Sequence, residues 1–179
     1  YVLIRNSDRF LVFWGSVSKS LPFLGEPNKA PLPSIGHMAD IAAPALLISM
    51  AIGRIGDIVN GEHFAKATDM FWGVIYTNSA SPGYSRPASH PAVAYELVFD
   101  LILAAALWPI RNRLRPRGML FVLYGGLYSI GRFFLSFLRV EQIPYFEILN
   151  QAQIIALIII VIAIPLVVFK AQFMKPSQN

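Results

Sequence analysis

The chain has 179 residues, room for one ordinary domain, but 55% of them are apolar and only 14% are charged, against roughly 25% charged in soluble domains. Despite a formal charge of +5, no basic face interleaved with aromatics marks a nucleic-acid binder, and the lack of cysteine excludes disulfides and thiolate metal sites. So greasy a chain needs lipid around it, and the placement of its basic residues matters more than their sum because placement sets membrane orientation.

The chain opens on Tyr1 rather than methionine, with no cationic run leading into an apolar core and cleavage site. A fragment or trimmed chain, with helices missing upstream, is expected. Residues 1–36 contain Pro22, Pro27, Pro31 and Pro33, which break every apolar run. An irregular, proline-rich segment without a span is expected there, followed by a membrane domain over 37–179. Its first apolar stretch, Ile41–Gly53, has only 13 uncharged residues between Asp40 and Arg54. It is read as a span over about 38–56, with the two charges near the interfaces or facing protein.

Residues 57–90 are too many for a turn and include Trp72, Tyr76, Tyr84 and the turn-prone run Ser79–Gly83. A small ordered cap is expected, with Phe71–Tyr76 as a short strand. Pro91–Ile110 makes a second span with Glu96 and Asp100 inside it, and Gly118–Leu138 a third with Arg132 as its one charge. Ile148–Phe169 is uncharged and about the length of a bilayer crossing, with Pro165 near its end. The expected fold is all-α: a polytopic transmembrane helix bundle with spans at about 38–56, 91–110, 118–138 and 148–169 and a small extracytoplasmic cap at about 57–90. The segment Arg111–Arg117 concentrates four arginines, which assigns it to the cytoplasm. The loops 57–90 and 139–149 then lie outside, and the tail with Lys170 and Lys175 returns inside. Trp108 and Tyr145 fall near the expected interfaces.

Three constellations carry chemistry. In Gly53–Glu62, an arginine and glycines end a membrane helix, followed by Asn60 and Glu62. Glycine admits close approach to the backbone, and the fork of Arg54 fits phosphate. An anchoring arginine that snorkels is the bland alternative; the polar neighbours favour a phosphate site at headgroup level. In His90–Glu96, Pro91 stands at a natural first helical turn, and Glu96 and Asp100 share one helix face. Asp100 is read as structural, and His90 alone fits a plain interfacial histidine. In Tyr124–Phe133, followed by Arg139, Arg132 lies about 10 Å deeper than Arg139 at ~1.5 Å per residue. A charge so deep needs a partner, and Glu96 has comparable depth. A structural pair and a second phosphate-directed cation stand as equals. Asn150, Gln151 and Gln153 read as an interfacial helix start. A metal site from Glu62, His63 and His90 has no spacing to support it.

These blocks resemble prolipoprotein diacylglyceryl transferases. Gly53–Glu62 is similar to the family signature, His90–Pro91 with Tyr95–Glu96 to its next block, and Tyr124–Gly125, Gly131–Phe133 and Arg139 to its late block. The resemblance runs from about Asp40 to Phe169. It implies a seven-helix bacterial inner-membrane enzyme of which this chain holds the C-terminal part. The enzyme would transfer diacylglycerol from phosphatidylglycerol to the lipobox cysteine of a preprolipoprotein, forming a thioether without metal or organic cofactor. Membrane lipid and the signal peptide would be its partners. Arg54, Glu62 and Arg132 would be catalytic; Arg54, Asn60, His90, Tyr95, Glu96 and Arg139 would bind substrate. Asp57 stands where the family has asparagine, Ala65 replaces a glycine, and Ser136 replaces a glutamate. An upstream glycine-rich motif with a histidine or tyrosine has only Trp14–Gly15–Ser16 at its spacing, so the base for the thiol is unassigned. An inactive relative that binds lipid or signal peptide is the first rival. A small transporter subunit using Glu96, Asp100 and Arg132 is the second.

Overall fold

A computed structural model of the protein describes residues 8–20, 33–140, 144–145 and 149–174. The chain divides into two units, residues 1–34 and 35–179. In the first, Asp8–Ser20 forms helix α1, with Phe10 stacked on Trp14 at 5.8 Å between ring centroids. The expectation of an irregular segment is corrected here: these 13 residues contain no proline, and all the prolines of the segment follow them. At 13 residues the helix is too short to span. Pro22, Pro27 and Pro31, together with Lys175 and the side chain of Tyr145, lie outside the described residues.

The second unit is a helical membrane bundle. Helices α2 (Ile35–Asn60), α3 (Ala92–Leu107, continued by a 3-10 turn to Ile110), α4 (Met119–Leu135, continued by a 3-10 turn to Leu138) and α5 (Gln151–Lys170) are each long and apolar enough to cross a bilayer. At most 33% of any of their apolar windows is buried within the protein. The remainder, including Ile52, Ile102, Ile158 and Val161, is exposed and must be solvated by lipid. Helix α2 has 26 residues, about 39 Å at ~1.5 Å per residue. It begins three residues before the expected span and ends four after it, because Arg54 and Asp57 have partners and the helix need not stop at them. Helix α5 starts with a capping box: Asn150 accepts from the Gln153 amide at 2.8 Å and Gln153 Oε1 accepts from the Asn150 amide at 3.0 Å.

With no hydrophobic drive between helices in lipid, close packing holds the bundle, and small residues permit it. Ala43 and Leu47 of α2, Leu103, Ala104 and Leu107 of α3, and Leu120 and Tyr124 of α4 form the core. A Cβ on Gly131 would collide with the Phe99 ring, and one on Gly126 would stand 3.1 Å from the Ala163 methyl. At one end of the bundle, β1 (Leu114–Arg115) pairs antiparallel with β4 (Gln172–Phe173). At the other, β2 (Pro144–Tyr145) pairs with β3 (Leu149–Asn150).

The cap over residues 61–90 is ordered by backbone bonding rather than by regular elements. Val74 and Ser89 exchange hydrogen bonds at 3.0 and 3.2 Å, and Thr68 donates to the Ala88 carbonyl at 2.9 Å. The short strand expected at Phe71–Tyr76 does not form; Val74 and Tyr76 make only isolated bridges, since no continuous partner strand runs beside them. The Tyr76 hydroxyl donates to the Ile58 carbonyl at 3.0 Å and ties the cap to the end of α2. Burial pushes that hydroxyl above its ordinary pKa, so it stays a donor.

Candidate active site

Glu96 lies just past the first turn of α3 and is 4% exposed. Three guanidinium groups converge on it. Arg54 Nη2 approaches Glu96 Oε2 at 2.7 Å, Arg139 Nη2 lies 3.0 Å from both oxygens, and Arg132 Nη1 donates to Oε1. The helix period explains the meeting. Arg54 stands about two turns before the end of α2, Glu96 about one turn into α3, and Arg132 in the last turn of α4. Arg139 follows the 3-10 turn Ser136–Leu138 and is placed by the cap: Lys66 donates to the Leu138 carbonyl at 2.8 Å and Val140 to the Phe64 carbonyl at 3.2 Å. Ala65 thereby faces Arg139 in a two-residue bridge.

Arg54 also gives Nη1 to Asp57 Oδ2 at 2.9 Å, and its Nε is buried with no hydrogen-bond partner. Three cations thus meet the two carboxylates of Glu96 and Asp57. Asp100, one turn deeper and 2% exposed, lies in electrostatic range of Arg54 and Arg132 and has one carboxylate oxygen without a partner. Ser136, 1% exposed, turns its hydroxyl back onto the Arg132 carbonyl at 2.7 Å, so a small buried group fills that position.

The other expected residues fall into two nearby groups rather than on Glu96. Asn60 and Glu62 are exposed at the end of α2, 3.4 Å apart. Tyr95 accepts from Trp72 Nε1 at 2.6 Å, and His90 Nδ1 lies 3.4 Å from the same hydroxyl. Glu62 and His90 border a cavity of about 100 Å³ beneath the cap, roofed in part by Arg86, which stacks 3.4 Å over the Phe64 ring. Asp57, Glu62 and His63 bring their ligand atoms within 4.8 Å of one another. Arg54 on the Asp57 carboxylate opposes a cation there. Sequence reasoning missed Trp72 and Arg86 as site residues; their contacts with Tyr95 and Phe64 run through the irregular cap and leave no periodic signal.

Fold and cluster together define a multi-pass helical membrane protein with an arginine–glutamate centre at the capped end of its bundle. The sequence profile of prolipoprotein diacylglyceryl transferases matches residues 23–169. The chain belongs to that family. It is similar to the phosphatidylglycerol–prolipoprotein diacylglyceryl transferase of Dehalococcoides mccartyi, 37% identical over 82% of this chain and 56% of that one. The enzymes of the same name from Oceanobacillus iheyensis (31% identical over 76% of this chain and 50% of that one) and Cutibacterium acnes (40% over 58% and 36%) are also similar. The chain spans about half the length of the first of these relatives. No solved structure matches it significantly.

Proposed function

We propose that this chain acts in the transfer of the diacylglyceryl group of phosphatidylglycerol to the lipobox cysteine of a preprolipoprotein, in a bacterial inner membrane. The observation that carries the proposal is the convergence of Arg54, Arg132 and Arg139 on Glu96 at one end of the bundle. The substrate sulfur bonds to the terminal glyceryl carbon of the diacylglycerol as the thiol gives up its proton, the carbon–oxygen bond to phosphate breaks, and glycerol phosphate leaves as an anion that carries that proton in the net balance. Charge grows on the departing phosphate, and arginines already oriented by Glu96 stabilise it without reorganising. Arg54 has a buried Nε without a hydrogen-bond partner beside its two engaged terminal nitrogens, and Arg132 shares the Glu96 carboxylate with it. Asn60, Glu62, His90 and Tyr95, at the rim between cluster and cap, are suited to the glycerol hydroxyls and the peptide. Family membership supports the substrate classes.

The test is transfer of labelled diacylglycerol from vesicle phosphatidylglycerol to a lipobox peptide. Arg54→Lys keeps the charge and loses the fork. It should lower transfer by roughly a hundredfold or more, on the order of 3 kcal/mol in the barrier, with the protein still folded and inserted. Full transfer by a folded Arg54→Lys protein would reduce Arg54 to an anchor. A second reading rests on the Arg54–Asp57 pair, which spends part of the arginine's charge internally: a relative that holds lipid or signal peptide without reacting. Lipid binding with no transfer by the unsubstituted chain would select it.

A further inference from the structure

At the end of the bundle away from Glu96, the Arg111–Arg117 loop has a fixed shape that an orientation signal does not need. Orientation requires only that the arginines be present. Here the loop is pinned at three places. Asp40 of α2 accepts from the backbone N–H groups of Gly118 at 2.7 Å and Phe121 at 3.1 Å, so its charge is committed to the start of α4. Leu114 and Arg115 pair with Phe173 and Gln172 beyond α5. Gly36 lies so close to the loop that a Cβ there would stand 2.5 Å from the Arg117 carbonyl oxygen.

Between these pins is a cavity of about 350 Å³, bordered by His37, Trp108, Arg111, Asn112, Arg115 and Arg117. Three arginines face one carboxylate that is already engaged. Arg111 is held in place: its Nη1 donates to the Trp108 carbonyl at 2.7 Å, and its guanidinium lies 4.4 Å from the Trp108 ring centroid. The cavity meets the lipid boundary at Ile41 and Trp108, which are 60% and 51% exposed. A concave, positively charged site with oriented guanidinium groups and an amide fits a phosphate. Basic pockets between helix ends at a membrane surface take anionic headgroups.

We propose that this cavity is a second phosphate-binding site, on the membrane face opposite the Glu96 cluster, that takes the phosphate of an anionic ligand. Arg113 supplies the control. It belongs to the same loop, carries the same charge, is exposed, and does not border the cavity. The chain and its Arg111→Gln, Arg117→Gln and Arg113→Gln variants are placed in phosphatidylcholine nanodiscs with increasing phosphatidylglycerol. Retained lipid is then counted by native mass spectrometry. Lipid held at Glu96 is common to all four proteins and cancels. Arg111→Gln and Arg117→Gln should each weaken retention of one phosphatidylglycerol roughly fivefold, and Arg113→Gln should not. In a second arm, inorganic phosphate is added in pure phosphatidylcholine and thermal stability is followed. A rise in melting temperature that Arg111→Gln abolishes and Arg113→Gln keeps assigns the cavity to soluble phosphate; a response to phosphatidylglycerol alone assigns it to lipid. Equal losses in all three variants would reduce the effect to loop charge and overturn the site, as would no response in either arm.

Discussion

Arg54 divides its two terminal nitrogens between two carboxylates, Glu96 at 2.7 Å and Asp57 at 2.9 Å. The second contact is a private one, within a single turn of α2. An aspartate there lowers the positive potential an incoming phosphate meets. Asparagine would keep the shape and a hydrogen-bonding oxygen without the charge. Asp57→Asn should therefore tighten phosphatidylglycerol binding roughly fivefold, on the order of 1 kcal/mol for a partly screened charge, and should speed transfer. The opposite assignment makes Asp57 the base for the substrate thiol, helped by His63, whose Nε2 lies 3.6 Å from Asp57 Oδ2. Against it, the oxygen nearest His63 is the one Arg54 already holds. Binding and transfer measured on one preparation decide the matter: unchanged binding with abolished transfer would make Asp57 the base. No change in either would remove Asp57 from the site.

At the scale of the elements, the site depends on how closely α3 and α4 approach. Gly131 lies against the Phe99 ring, one residue before Arg132 and on the helix that faces Glu96. Gly131→Ala should push the helices apart, cost about 1–3 kcal/mol and lower both melting temperature and transfer. Gly125→Ala is the matched control, because its Cβ would meet Ile159 at an ordinary 3.8 Å. Helix propensity should then leave it unchanged or slightly more stable. Equal behaviour of the two variants would mean that this approach does not set the spacing. The elements were also the part most legible in the sequence. Three of the four apolar runs have the length of a span, the 13-residue run Ile41–Gly53 becomes one only by taking in its flanking charges, and the depth of Arg132 demanded a partner that Glu96 supplies. Helix α1 was hidden because prolines beyond its end coloured the whole segment. The reach of Arg139 to Glu96 was hidden because it depends on a 3-10 turn and a bridge to Ala65, neither of which has a periodic signature. Asn60 and Glu62 looked like neighbours of Arg54, yet six and eight residues further along the chain they reach the rim rather than the cluster.

For the molecule as a whole, the arginine loop and the cap lie at opposite ends of the bundle, so one sidedness experiment orients everything else. These 179 residues contain no cysteine, and single cysteines can be introduced into them without background. A cysteine at Asn112 should react with an impermeant thiol reagent only from the cytoplasmic side, and one at Ser81 only from outside. The reverse pattern would place the Glu96 cluster in the inner leaflet and invert the proposed chemistry.

Chain order gives the Glu96 cluster a history as well as a geometry. In chain order Arg54 comes first, on a helix whose uncharged run is only 13 residues, and it carries one partner with it, Asp57 a single turn further on. Glu96 comes next, on the antiparallel neighbour, so a hairpin of α2 and α3 holds Arg54 between two carboxylates. Arg132 and Arg139 come last and find the carboxylate partly neutralised. The glutamate is thus the second partner of the first arginine and the shared anchor of all three. The three guanidinium groups come together only when α4 and the Arg139 turn join that hairpin.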